Sequence, residues 1–154
     1  HETTNDSTWQ VADINSGSSS GYARDITVMG TRLYFEATDG NSGMELWVHE
    51  TTNGSTWQAA DINSGSSSGY ANEITAMGTR LYFEAIDGVT GYELWVHETI
   101  CGCTWQVADI YSGGGSGYAN YITVMDTRLY FESKGTYSGY ELSMMEIEHT
   151  ITYS

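Results

Sequence analysis

One unit of 48 residues is written three times in succession, and that repetition limits what the chain can fold into. Trp9, Trp57 and Trp105 stand 48 residues apart, as do Leu33, Leu81 and Leu129. Residues 1–48 and 49–96 agree at 39 of 48 positions, so the two copies are expected to make the same contacts with their neighbours. The third copy, 97–144, has drifted, and residues 145–154 begin a fourth. Residues 1–154 therefore read as a single domain of stacked repeats.

Each unit holds four segments of strand character. In the first copy these are Thr8–Ile14, Ile26–Met29, Arg32–Ala37 and Glu45–Glu50, separated by Gly, Ser and Asn clusters. Alternation of period two, with β-branched and aromatic residues, favours strands over helices. Alternation also puts Leu33, Phe35 and Ala37 on one face, with Arg32, Tyr34 and Glu36 on the other. Leu33, Phe35, Leu81, Phe83, Leu129 and Phe131 are the expected core, and Trp9, Trp57 and Trp105 the expected packing between repeats. The fold class is all-β: tandem four-stranded antiparallel units of propeller-blade size, completed by contacts between chains.

That last expectation comes from the register. The chain opens on the Trp9 strand, which in repeat order follows a Glu-Leu-Trp strand. It closes with Tyr153 at the repeat position of Trp9. Three units fall short of the ~4–8 blades with which propellers close. Trp9, Val11 and Ile14 at one end, and Ile147, Ile151 and Tyr153 at the other, are thus expected to pair between subunits. The result would be a ring or an open filament.

Charge narrows the choice of partners. Five basic residues against 20 acidic ones leave a formal charge of −15, which repels nucleic acid and anionic membrane surfaces. No apolar run approaches the ~20 residues of a membrane span. A chain opening on His1 instead of Met suits a processed, secreted protein. So do the sequons at Asn5 and Asn53, which share one repeat position. Cys101 and Cys103 replace that Asn and Ser in the third copy and are the candidate disulfide cysteines. A bridge across two residues is strained at ordinary geometry, leaving a bridge between chains or two free thiols as the other readings.

Glu45-Leu46-Trp47 and Glu93-Leu94-Trp95 resemble the bacterial repeats known by an ELWxxDGT signature, related to hyalin-type repeats. The likeness extends through Asp61-Ile62-Asn63-Ser64-Gly65, Ile74-Thr75, Leu81-Tyr82-Phe83, Asp87-Gly88 and Gly91. Departures are the His-Glu-Thr after each Trp, the lack of proline, and Ser143 in place of the third Trp. The resemblance implies an extracellular or surface protein of architectural or adhesive role, with no reaction and no catalytic residue.

Two kinds of site remain to be weighed. Asp39, Glu45, Asp87 and Glu93 would offer oxygens to Ca²⁺, which needs ~6–8 of them. An Asp-Gly hairpin turn explains the same residues. Trp47 and Trp95, with Arg32 and Arg80, would make glycan sites between blades, an aromatic platform beside groups that fix hydroxyls. Inter-repeat packing explains them as well. His49-Glu50 and His97-Glu98 point to opposite strand faces and make poor joint sites. Acid–base chemistry needs unlike groups converging in one pocket, and no such group is visible, so an enzyme is not expected. Self-association as a structural or adhesive protein is the leading reading, and glycan binding the second.

Overall fold

A computed structural model of the chain describes residues 7–147. All regular structure among them is β, in three antiparallel sheets. The first contains β1 (Arg24–Met29), β2 (Arg32–Ala37), β3 (Glu45–Glu50) and β4 (Thr56–Ala60), paired in that order. The second repeats it with β5 (Asn72–Met77), β6 (Arg80–Ile86), β7 (Tyr92–Glu98) and β8 (Cys103–Ala108). The third has β9 (Asn120–Met125), β10 (Arg128–Lys134) and β11 (Tyr140–Glu146), with no fourth strand among the described residues. Among the described residues the three sheets do not close into a barrel or ring.

Registers repeat with the sequence. Phe35 faces Trp47 across β2 and β3 as Phe83 faces Trp95 across β6 and β7. The first strand of each sheet carries a bulge at Asp25, Glu73 or Tyr121, each with positive φ. β1 lies against β5 and β5 against β9, so the first strands form the contact line between sheets.

The sheets stack face to face, and this corrects the one-sided alternation. Tyr34, Leu46 and Val48 of the first sheet pack against Leu81, Phe83, Ala85 and Trp95 of the second. Tyr82, Leu94 and Val96 do the same against Leu129 and Phe131 of the third. The second sheet has a neighbour on each side and buries both faces. On the first, Tyr34 is buried against the second sheet, while Phe35 and Ala37 are covered on the other face by Ile14 and Trp47 of their own repeat. Of the expected core, only Leu33 is merely half-buried.

Thr8–Ile14 is not a strand. Its counterparts β4 and β8 pair with the preceding β3 and β7, and among the described residues no sheet precedes the first copy. Trp9 is accordingly 77% exposed and Val11 is exposed too. Trp57 and Trp105 sit half-exposed on the outermost strands. Packing between sheets falls instead to Tyr34, Phe83 and Trp95 in the first junction, Tyr82 and Phe131 in the second, and the aliphatic residues of both. Ile14 packs inside its own chain beside Phe35, Ala37 and Trp47, and Ile147 packs against the cluster between the second and third sheets. These two therefore have partners within the subunit. Asn5, Ile151 and Tyr153 lie outside the described residues.

Candidate functional site

The most informative region is the junction between sheets, because it occurs twice in full and once in half. After β4 the chain crosses to the next sheet through residues 61–71. Glu45 holds that crossing at both ends: Ile62 N donates to Oε2 and Gly69 N to Oε1, each at 2.7 Å. Glu93 repeats this with Ile110 N at 2.7 Å and Gly117 N at 2.9 Å. Both carboxylates are fully buried. Burial raises the Glu45 pKa to about 7 against the pull of the amide donors, and it raises Glu93 likewise.

A second link crosses the sheets at their first strands. Thr27 Oγ1 donates to the Ile74 carbonyl at 2.7 Å, and Thr75 Oγ1 to the Ile122 carbonyl at 3.1 Å. Glu84 is buried and accepts the Ala119 amide at 3.0 Å, and burial raises its pKa. A column of tyrosines runs alongside, with Tyr70, Tyr92, Tyr118 and Tyr140 at centroid spacings of 6.2, 6.0 and 5.9 Å.

The third sheet presents the same face without a neighbour. Leu46 and Leu94 are 0% exposed, whereas Leu142 at the same repeat position is 79% exposed. Met144, standing where Val48 and Val96 are buried, is exposed, and Glu141, standing where Glu45 and Glu93 clamp, is exposed as well. At the other end the first copy shows the complementary set. Ile26 is exposed where Ile74 and Ile122 are buried, and Ala23 where Ala71 and Ala119 are buried.

The calcium ligands are not brought together. Asp39 Oδ1 accepts Asn41 N at 2.8 Å and Ser42 N at 3.0 Å within its own turn, and these bonds hold its pKa down. Asp87 does the same for Val89 and Thr90. Glu45 and Glu93 are committed to the crossings. Among the described residues no group of three or more His, Cys, Asp or Glu converges on a metal position. The turn explanation accounts for the hydrogen bonds of Asp39 and Asp87.

The glycan candidates are also rearranged. Trp47 and Trp95 are buried, with indole N–H groups that have no partner among the described residues. They offer no open platform: the first sheet covers Trp95, and Ile14, Leu33 and Phe35 of its own repeat cover Trp47. Arg32 instead lies over Trp57, 5.6 Å from its centroid, and Arg80 over Trp105 at 5.7 Å. Each pair stands at the rim of a groove between sheets; Arg32, Tyr34 and Trp57 face His97 and Thr99 there. Sequence reasoning missed Trp57 and Trp105 as partners of these arginines; Trp57 faces Val48 and Arg32 faces Glu50 on adjoining strands, a register visible only once the sheet is paired.

Electrostatics are one-sided. All four arginines pair with glutamates: Arg24 with Glu36, Arg32 with Glu50, Arg80 with Glu98 and Arg128 with Glu146, at 2.6 to 3.1 Å. Most carboxylates among the described residues form no ion pair. The His-Glu pairs split as strand alternation requires. His49 and His97 meet Thr56 and Thr104 at 2.7 Å, and the glutamates turn to the arginines. Burial lowers the His97 pKa.

Cys101 and Cys103 form a disulfide with each other in the β7–β8 turn, Cα–Cα 5.2 Å. Asn53 is exposed in the equivalent β3–β4 turn, where its side chain accepts Ser55 N at 2.9 Å. No protein-family model and no curated protein matches the chain.

Proposed function

We propose that this chain is an extracellular structural or adhesive repeat protein that works by associating with itself. The observation that carries the reading is the bare face of the third sheet. Leu142 is open to solvent at a position whose two counterparts are wholly buried against a next sheet. An apolar face built for stacking, in a repeat whose other copies stack, is a surface for another blade-like unit. A non-catalytic, architectural role agrees with a chain in which the buried acids hold backbone amides instead of lining a pocket. The resemblance to ELWxxDGT-type repeats points the same way. An exposed sequon at Asn53 and the Cys101–Cys103 bridge are consistent with secretion.

Negative-stain electron microscopy of the purified protein tests the reading. Fibres or rings with a regular subunit spacing are expected, and a uniform field of single particles would refute it.

Glycan binding is the second reading, favoured by the exposed Arg32–Trp57 and Arg80–Trp105 pairs at the groove rims. A lectin would be retained on a sugar matrix and eluted by one monosaccharide. Loss of retention in Trp57→Ala with Trp105→Ala would assign the site.

A further inference from the structure

We infer that the half-junction on the third sheet is completed by residues 8–26 of a second copy of this chain, in a register the first two junctions define. The inference rests on the self-association reading above and names its contact atom by atom.

The case is one of repetition. Thr8-Trp9-Gln10-Val11-Ala12 matches Thr104-Trp105-Gln106-Val107-Ala108 residue for residue, and that segment is the body of β8. It matches β4 at every position but Val11, which is Ala59. Both β4 and β8 pair with the third strand of the preceding sheet: Leu46 faces Ala60, Trp47 faces Gln58, Val48 faces Trp57 and His49 faces Thr56. The second sheet repeats these pairs through Leu94–Ala108, Trp95–Gln106, Val96–Trp105 and His97–Thr104. Carried forward 48 residues, the rule sets Leu142, Ser143, Met144 and Met145 against repeat positions 156, 154, 153 and 152, which in a second copy are Ala12, Gln10, Trp9 and Thr8. Thr152, Tyr153 and Ser154 of the same chain hold three of these positions and lie outside the described residues, so the cross-linking test below separates the two occupants. Thr8–Ala12 is no strand in its own subunit, and β11 has no fourth-strand partner among the described residues. Each supplies what the other lacks.

The polar groups agree. Glu141 would take Ile14 N and Gly21 N of the second copy, as Glu45 takes Ile62 N and Gly69 N. Thr123 Oγ1, which now bonds within its own strand to the Tyr121 carbonyl, would reach the Ile26 carbonyl as Thr27 reaches that of Ile74. The tyrosine column ends on Tyr140, and exposed Tyr22 holds the repeat position of Tyr70 and Tyr118. Tyr22 would extend the column into the next subunit. Because the surface at one end of the chain meets a different surface at the other, the contact is head to tail and propagates.

The test uses the full chain in sedimentation velocity, with two variants. Glu141 is exposed in the single subunit, so Glu141→Ala should leave the circular dichroism spectrum unchanged. It should weaken association by about tenfold or more, as expected for a lost charged hydrogen-bond acceptor. The double variant Gln10→Cys, Ser143→Cys should form disulfide-linked dimers and higher ladders on non-reducing gels. If the wild type assembles but Glu141→Ala is silent and no ladder forms, this register is overturned and self-association stands through another surface. A cross-link confined within single chains would overturn the second copy as occupant. A wild type that stays monomeric at about 100 μM, far above a micromolar dissociation constant, overturns both readings.

Discussion

Glu45 accepts the backbone N–H of Ile62 at 2.7 Å from a position with no solvent exposure. Its other oxygen takes Gly69 N, so one side chain fixes both ends of the crossing from first sheet to second. The Ile62 amide would otherwise be buried without a partner, and the Gly69 amide would keep only the Met44 carbonyl, at 2.9 Å. A carboxylate meets both at once, at the cost of its own desolvation.

That cost makes stability depend on pH. The Glu45 carboxyl has its pKa raised from 4.5 to about 7 by burial. Below about 4.5 it is protonated in both folded and unfolded chains, and no difference arises. Between about 4.5 and 7 the unfolded chain gives up the proton while the folded chain keeps it. Stability therefore falls as pH rises through that window and levels off above it, by on the order of 3 kcal/mol for this one group. Urea denaturation at a series of pH values should show the decline, and Glu45→Gln should remove part of the slope. An identical slope in the variant would mean that other groups cause it.

Leu94 and Leu142 occupy one repeat position and should behave oppositely. Leu94 is fully buried between the second and third sheets, so Leu94→Ala should cost about 2–5 kcal/mol in chemical denaturation. Leu142 is open, so Leu142→Ala should change the stability of the isolated chain by less than about 0.5 kcal/mol. Sedimentation of the same variant should show weakened association. Equal destabilisation by the two would mean that the third sheet's face is already covered.

How far the sequence carried the fold is clear at particular residues. Leu33-Tyr-Phe-Glu-Ala37 announced a strand through alternation, and β2 spans just that segment with Arg32. Burial of Glu36 and Glu45 was not legible, because alternation assigns polar residues to solvent and the covering layer comes from a sheet one repeat away. The Thr8–Ile14 strand was misplaced for a related reason: its partner belongs to the preceding unit, and strand propensity is realised only against an edge. Arg32 and Arg80 lie over Trp57 and Trp105, cross-strand neighbours that no linear spacing reveals.

Glycines record the same asymmetry. A Cβ on Gly43 would sit 2.3 Å from the Ser67 carbonyl oxygen, and one on Gly91 2.2 Å from that of Gly115, with φ of 77° and 78°. Either change to Ala should cost about 2–4 kcal/mol, combining backbone strain with displacement of the next crossing. Gly139, at the equivalent position of the third copy, has nothing within 4 Å and no positive φ. Gly139→Ala should therefore be tolerated, measured as an unchanged melting temperature. A melting temperature lowered as far as in Gly91→Ala would show that position to be occupied.

Assembly should strengthen with salt. Each subunit carries a formal charge of −15, and its arginines are already neutralised within the chain. Bringing two such bodies into contact opposes their mutual repulsion, which extends over ~30 Å at 0.01 M ionic strength and only ~8 Å at 0.15 M. The bare face itself is apolar at Leu142 and Met144, so its attraction is not screened. Light scattering across that range of sodium chloride should show the assembled fraction rising with salt. Attraction carried mainly by ion pairs between subunits would give the reverse, and a fall with salt would point the contact away from the Leu142 face.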